Sequence, residues 1–411
     1  MFATLGLLVV CAFPVPADAI VAAADSSFDW PAWRGKDRTG VSAEKGLLKK
    51  WPKGGPALAW RVEEMGSGYA APAVADGKIY LMGGRDNKEY LLCLSEADGA
   101  KEWEVEVGKI AGVGYPGPRS TPTIDDDSIV ALGSEGDLVV LDKSTHAVRW
   151  KAHYGKQYGG KYGAWGFAES PLVDGDTIVC TPGGGDATMI ALSKKDGEVL
   201  WKCPIPGGNT AAYSSPTIAM AGKKKQYVNF ISDSLVGVDA ETGKLAWRYQ
   251  KSANGTANCS SAIYSAGHVL SASGYGNGGG LVKISPKDAT EVYFKKELVN
   301  HHGGMVLVGN HVYATNEKTV LCMEFKTGKI LWQNRSVGKG SIAAADGLLV
   351  VRSEQGPIAL IAADPKSYRE LGRFDQPDRS GEAAWPHPVI ANGKLFIRDQ
   401  GLLLAYRLKG K

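Results

Sequence analysis

Eight positions, one in each turn of an internal repeat, carry the side chains best able to do chemistry: Tyr69, Arg119, Ala168, Tyr213, Cys259, His302, Lys339 and Trp385. Two residues further on, each repeat places a smaller residue, in order Ala71, Thr121, Ser170, Ser215, Ser261, Gly304, Ser341 and, as the exception in size, His387. Strand alternation puts both sets on one face. Small residues suit a place where strands crowd around an axis, so the bulkier set is expected at the mouth of a central channel. Loops 108–120 and 153–169 should border that mouth, adding Trp165 and Glu169. Tyr69, Arg119, Trp165, Glu169, Tyr213, His302, Lys339 and Trp385 are therefore the candidate ligand-binding residues. Aromatic faces beside Arg119, Lys339 and His302 would hold an anionic or planar ligand. The competing reading is that these residues only plug and stiffen the top of the ring.

Other constellations carry less. His301-His302-Gly303-Gly304 resembles a metal handle, but neighbouring strand residues point to opposite faces and no carboxylate stands near in sequence, so no metal is expected. Glu169 and Glu382 each precede the first strand of a repeat and could serve as calcium ligands or a general base; exposed loop carboxylates are the simpler reading. The glycine runs 183–185 and 274–280 lack the Lys-Ser/Thr of a phosphate loop and read as hairpin turns. No Ser/His/Asp order emerges, and no catalytic residue is assigned.

What must position the mouth is a β-repeat. Its clearest copy is Val238-Asp239-Ala240-Glu241-Thr242-Gly243-Lys244-Leu245-Ala246-Trp247: a strand, a turn closed by a glycine able to take positive φ, and a strand carrying tryptophan. Final strands ending near Trp60, Trp103, Trp150, Trp201, Trp247, Tyr293, Trp332 and Phe374 give eight units of 40 to 50 residues, the signature of a β-propeller. The fold class is thus all-β, an eight-bladed propeller of four-stranded antiparallel blades. Leu58–Val62 is an orphan final strand, and residues 388–407 supply three strands lacking a fourth. Pairing the two closes the ring without a free edge.

Residues 1–19 read as an export signal ending at Ala17-Asp18-Ala19, which implies a periplasmic or secreted protein. Residues 20–51 form an arm whose tryptophans, Trp30 and Trp33, should anchor it along the propeller flank, and 52–411 is the propeller. No transmembrane segment is expected. The 47 basic and 43 acidic residues are spread along the chain, which argues against nucleic acid as a partner. Cys93, Cys180, Cys203, Cys259 and Cys322 show neither disulfide-framework nor zinc spacing. Cys93 and Cys322 occupy the place of Ala191 and Gly237, so they read as small buried filler.

The repeat resembles that of pyrroloquinoline-quinone (PQQ) type propellers, with their Ala-x-Asp-x-x-Thr-Gly-x-x-x-Trp motif. Gly237, Asp239, Thr242, Gly243 and Trp247 match it, as do Ala191, Gly197 and Trp201, and the likeness runs over about residues 58–409. It implies that each tryptophan docks on the neighbouring blade. The same propeller serves quinoprotein dehydrogenases and BamB-like assembly scaffolds. The dehydrogenases' adjacent cysteine pair, calcium-binding Glu/Asn/Asp set and haem-attachment Cys-x-x-Cys-His have no counterpart here. The expectation is a non-catalytic binding or assembly scaffold of the cell envelope, without a cofactor, whose partner is an envelope protein or a small anionic or planar ligand in the channel. The alternative is a quinoprotein dehydrogenase using PQQ with calcium on an alcohol or sugar.

Overall fold

The computed structural model describes residues 28–207 and 210–410. The export signal expected at residues 1–19 lies outside them. Eight sheets stand in a ring, seven of them taking their strands in chain order from axis to rim and the eighth taking its outermost strand from the N-terminal part of the chain. Blades 1 to 7 span residues 73–109, 123–153, 172–203, 217–249, 263–295, 305–334 and 340–375. Blade 8 joins Val389–Ala391, Lys394–Asp399 and Leu402–Arg407 to Leu58–Val62, which pairs antiparallel with Leu58 opposite Tyr406 and Val62 opposite Leu403. The two ends of the chain thus share one sheet, and the ring is closed by hydrogen bonds. No helix among the described residues is long and apolar enough to cross a membrane.

The local chemistry of the repeat explains the closure between blades. Asp239 Oδ1 accepts from Thr242 N at 2.9 Å and Thr242 Oγ1 at 2.8 Å, which folds the turn. Gly243 follows at φ 68°, and a Cβ there would sit 2.6 Å from the ring of Trp201 in the preceding blade. The glycine is required twice, for its backbone and for the indole lying on it. Trp201 Nε1 then donates to Ala240 O at 3.2 Å. The same arrangement recurs where Trp60 lies on Gly99 and donates to Glu96 O, and where Trp150 lies on Gly197 and donates to Lys194 O. Within several blades the residue opposite the indole is small: Cys93 faces Trp103, Ala191 faces Trp201 and Gly237 faces Trp247. Apolar side chains of adjacent sheets fill the wedges, as Val130, Leu138, Ile178 and Ile190 do between blades 2 and 3. Each such burial contributes roughly 1.5–3 kcal/mol.

The arm does not follow the flank; it crosses the axis. Trp30 exchanges two backbone hydrogen bonds with Val74 on the innermost strand of blade 1, and Pro31 O accepts from Ile124 N of blade 2. Val41–Ser42 then adds in parallel to the innermost strand of blade 7. Between these points Arg38 reaches the oxygens of Thr123, Ser170, Pro171 and Pro216, spanning blades 2 to 4. Trp33 Nε1 donates to Ser261 Oγ of blade 5 at 2.9 Å, and Arg34 donates to Met305 O of blade 6. Small residues on the inner strands leave a gap and free strand edges at the centre, and burying the arm's tryptophans and arginines there satisfies both. Docking on the flank would leave the centre unfilled.

Candidate functional site

The inner strands run from the mouth inward, and the small residues form the next layer below it. Here hydroxyls knit neighbouring blades: Thr121 Oγ1 donates to Ala71 O at 3.0 Å, Thr121 N to Ser170 Oγ at 2.9 Å, and Ser170 N to Ser215 Oγ at 2.9 Å. His387 departs from the pattern, packing at a tilt against Trp33 with centroids 4.6 Å apart and bonding His302 O at 2.8 Å. Trp33 and His387 floor a cavity of about 340 Å³ that opens at the mouth. The channel is therefore a blind cup.

Seven of the eight candidate residues line this cup: Tyr69, Arg119, Trp165, Tyr213, His302, Lys339 and Trp385. Tyr69 and Trp385 pack with centroids 4.7 Å apart, and Trp165 lies 5.5 Å from Tyr213. Ala168 and Cys259, the remaining members of the bulky ring, border the same space.

Glu169 is elsewhere. Ala168 and Ser170 face the axis, so strand alternation turns the side chain between them into the wedge beside blades 2 and 3. There it is buried, accepting from Tyr154 OH at 2.8 Å and Thr181 N at 2.6 Å. Burial pushes its carboxyl up to about 7. It staples the short helix Tyr154–Tyr158 to blade 3 and does not reach the cup. Glu382 is exposed and lies outside the lining.

His301 and His302 also depart from expectation. They lie in a bend before Met305–Val308, not within a strand, so both rings reach the cavity, 5.2 Å apart. Burial pulls His301 down to about 4 and His387 to about 3, and lowers His302 as well, so all three are neutral at pH 7.

Sequence patterns missed Trp33, Tyr115, Tyr275, His301, Glu354 and His387 as lining residues. Glu354 matters most for the charge. Its Oε1 accepts from Trp385 Nε1 at 2.6 Å, its Oε2 pairs with Lys339 Nζ at 3.1 Å, and His302 Nε2 stands 3.5 Å away. Burial alone would raise this carboxyl, but these partners together hold it well below the usual range. Lys339 is thereby neutralised. Arg119 is not: its guanidinium bonds the carbonyls of Gly114, Tyr115 and Gly117 and lies 5.3 Å from the centre of the Tyr69 ring. It forms no ion pair among the described residues.

The cup could hold a planar ligand, but its donors do not suit a cation. The carboxylate that lines it is already committed to Lys339 and Trp385, and no group of three His, Cys, Asp or Glu side chains converges among the described residues. PQQ with calcium, which the quinoprotein likeness brings into question, therefore lacks its metal ligands here.

The profile of the family described as outer membrane protein assembly factor BamB matches residues 24–161 and 87–334, well over half of the chain. BamB of Burkholderia pseudomallei is 24% identical over 372 residues, covering 82% of this chain and 89% of its own. BamB of Shewanella oneidensis is 25% identical over 254 residues, 57% of this chain and 60% of that protein's length. Among solved structures, quinohemoprotein alcohol dehydrogenase from Comamonas testosteroni superimposes with a TM-score of 0.69 at 14% identity, over 97% of this chain and 83% of its own. That last likeness concerns the fold.

Proposed function

We propose that this chain, which belongs to the family of the outer membrane protein assembly factor BamB, is a non-catalytic binding scaffold of the cell envelope that receives its ligand or partner in the cup at the channel mouth. One observation carries the reading. The cup presents aromatic walls and an unpaired cation, Arg119, while its carboxylate Glu354 is locked by Lys339 and Trp385, which leaves no uncommitted carboxylate in its lining. Recognition needs the first two features; an alcohol oxidation that removes the substrate proton with a carboxylate needs one that is not so committed. The BamB relatives are outer membrane protein assembly factors, which supports an envelope protein as partner.

Two measurements test this. The purified protein, incubated with PQQ and calcium, should reduce no redox dye in the presence of alcohols or sugars; saturable turnover would overturn the reading. A photo-crosslinking residue at Tyr115 should capture a discrete envelope protein in cells, and the capture should disappear when Trp385→Ala is added. Undiminished capture by that variant would move the binding site away from the cup.

A further inference from the structure

The cup's charge and shape define a narrower ligand class, an inference that rests on the binding reading above. Its net charge is set by Arg119, because Lys339 and Glu354 cancel and the three histidines are neutral. Beneath the floor lie two more buried arginines, Arg34 and Arg38, whose hydrogen bonds go to carbonyl and hydroxyl oxygens, not to carboxylates. Arg34 Nη1 is buried with no hydrogen-bond partner at all. Cations gathered this way in a medium of low dielectric, with no carboxylate in ion-pair contact among the described residues, favour an anion in a cavity that solvent-borne ligands can enter. That place is the cup.

The walls add a second constraint. Tyr115 stands edge-on to Trp385 at 4.8 Å and Tyr275 edge-on to His301 at 4.7 Å, and both tyrosines are about half exposed at the rim. Both also hold the left-handed backbone conformation, at φ 59° and 57°, which a bulky non-glycine residue adopts only at a cost. Two strained aromatic residues facing into one cavity are disposed as jaws. Their rings, with Trp385 and Tyr69 behind them, offer faces to a flat ring and few hydrogen-bond groups to a sugar. The volume, about 340 Å³, is at the small end of ligand sites.

We infer that the cup binds a small aromatic carboxylate, its ring held between the Tyr115 and Tyr275 jaws over Trp385 and its carboxylate turned to the Arg119 guanidinium. Recognition involves no covalent step. Arg119 is bonded to the carbonyl of Tyr115 itself, so the anion-binding group and one jaw are held by the same loop.

Calorimetric titration of the whole protein tests this with three probes: 4-hydroxybenzoate, its methyl ester, and cyclohexanecarboxylate. The acid should bind saturably at one site, and both the uncharged ester and the non-aromatic acid at least tenfold more weakly. Arg119→Gln should weaken the acid at least tenfold and abolish its advantage over the ester. Tyr115→Gly should weaken both aromatic probes while leaving the unfolding midpoint equal or higher, because glycine relieves the positive φ; this separates lost recognition from lost folding. Equal affinity for acid and ester, unchanged binding by Arg119→Gln, or no saturable binding of the aromatic acid would each overturn the inference. If the acid fails to bind while the Tyr115 crosslink to an envelope protein persists, the ligand class falls and the scaffold reading stands. Dye-reducing turnover with PQQ overturns the scaffold reading itself.

Discussion

The flank of the ring and its mouth are built from the same strands by opposite rules. On the flank, an aromatic residue, a turn glycine and a carbonyl meet again and again, as at Trp60 with Gly99, Trp150 with Gly197 and Trp201 with Gly243. At the mouth, equivalent positions hold tyrosine, arginine, alanine, cysteine, histidine, lysine and tryptophan. Repetition serves the joint, because blade after blade meets its neighbour in closely similar geometry, though Trp103 lies on His146 and Trp247 bonds Gln226 instead. Departure from repetition serves recognition, because a ligand on the axis has no eightfold symmetry to match. The floor complicates this division: Trp33 and Arg38 belong to no repeat, yet they hold several blades together at once.

The largest effect should come from breaking that floor. Arg38→Ala removes hydrogen bonds to oxygens on blades 2, 3 and 4 and should cost about 3–5 kcal/mol, read from the guanidinium unfolding midpoint. A small change would place the arm's axis contacts outside the stabilising set. Close behind, Gly243→Ala combines a strained φ with a Cβ only 2.6 Å from Trp201 and should cost about 2–4 kcal/mol by the same measurement. An equal loss of 4-hydroxybenzoate affinity in that variant would erase the contrast between flank and mouth.

The buried carboxyl of Glu169 sharpens the comparison through pH. Its folded value of about 7 lies above the 4.5 of an unconstrained glutamate, so the folded state holds the proton more tightly. The resulting stability is fully present below 4.5 and is lost as pH rises through 7. Glu169→Gln does not titrate, so relative to it the native protein should lose on the order of 3 kcal/mol between pH 4.5 and 8, measured as paired unfolding curves. Affinity for 4-hydroxybenzoate should not change with the substitution, because Glu169 faces the wedge and not the cup. The smallest stability effect is expected at Trp385→Ala: the indole is half-buried at the mouth, so the midpoint should move by about 1 kcal/mol, while binding of the aromatic acid falls at least tenfold.

Much of the mouth was legible because strand alternation is a local rule. Counting two residues back from Ala71, Thr121 or Ser215 identifies Tyr69, Arg119 and Tyr213 without any knowledge of the tertiary fold. The same rule excludes Glu169, which lies between two axis-facing residues, and grouping it with its loop overrode that parity. Tyr115, Tyr275 and Glu354 stand in turns, where the alternation lapses and no period says which way a side chain points. The adjacent histidines escaped for the same reason: a bend allows both rings onto one side.

By itself the chain's sequence determined the ring: the repeat, its eight units, the sealing of the last blade by Leu58–Val62, and the face that looks toward the axis. These follow from turn chemistry and alternation, which act over a few residues and recur. Only the tertiary structure decided that residues 30–42 enter the axis, that Trp33 makes the channel a cup, and that Glu354 cancels Lys339 and leaves Arg119 as the unpaired charge. Those outcomes join residues far apart along the chain, 271 positions for Arg34 and Met305, and which charges and rings meet there is settled by how the whole ring packs.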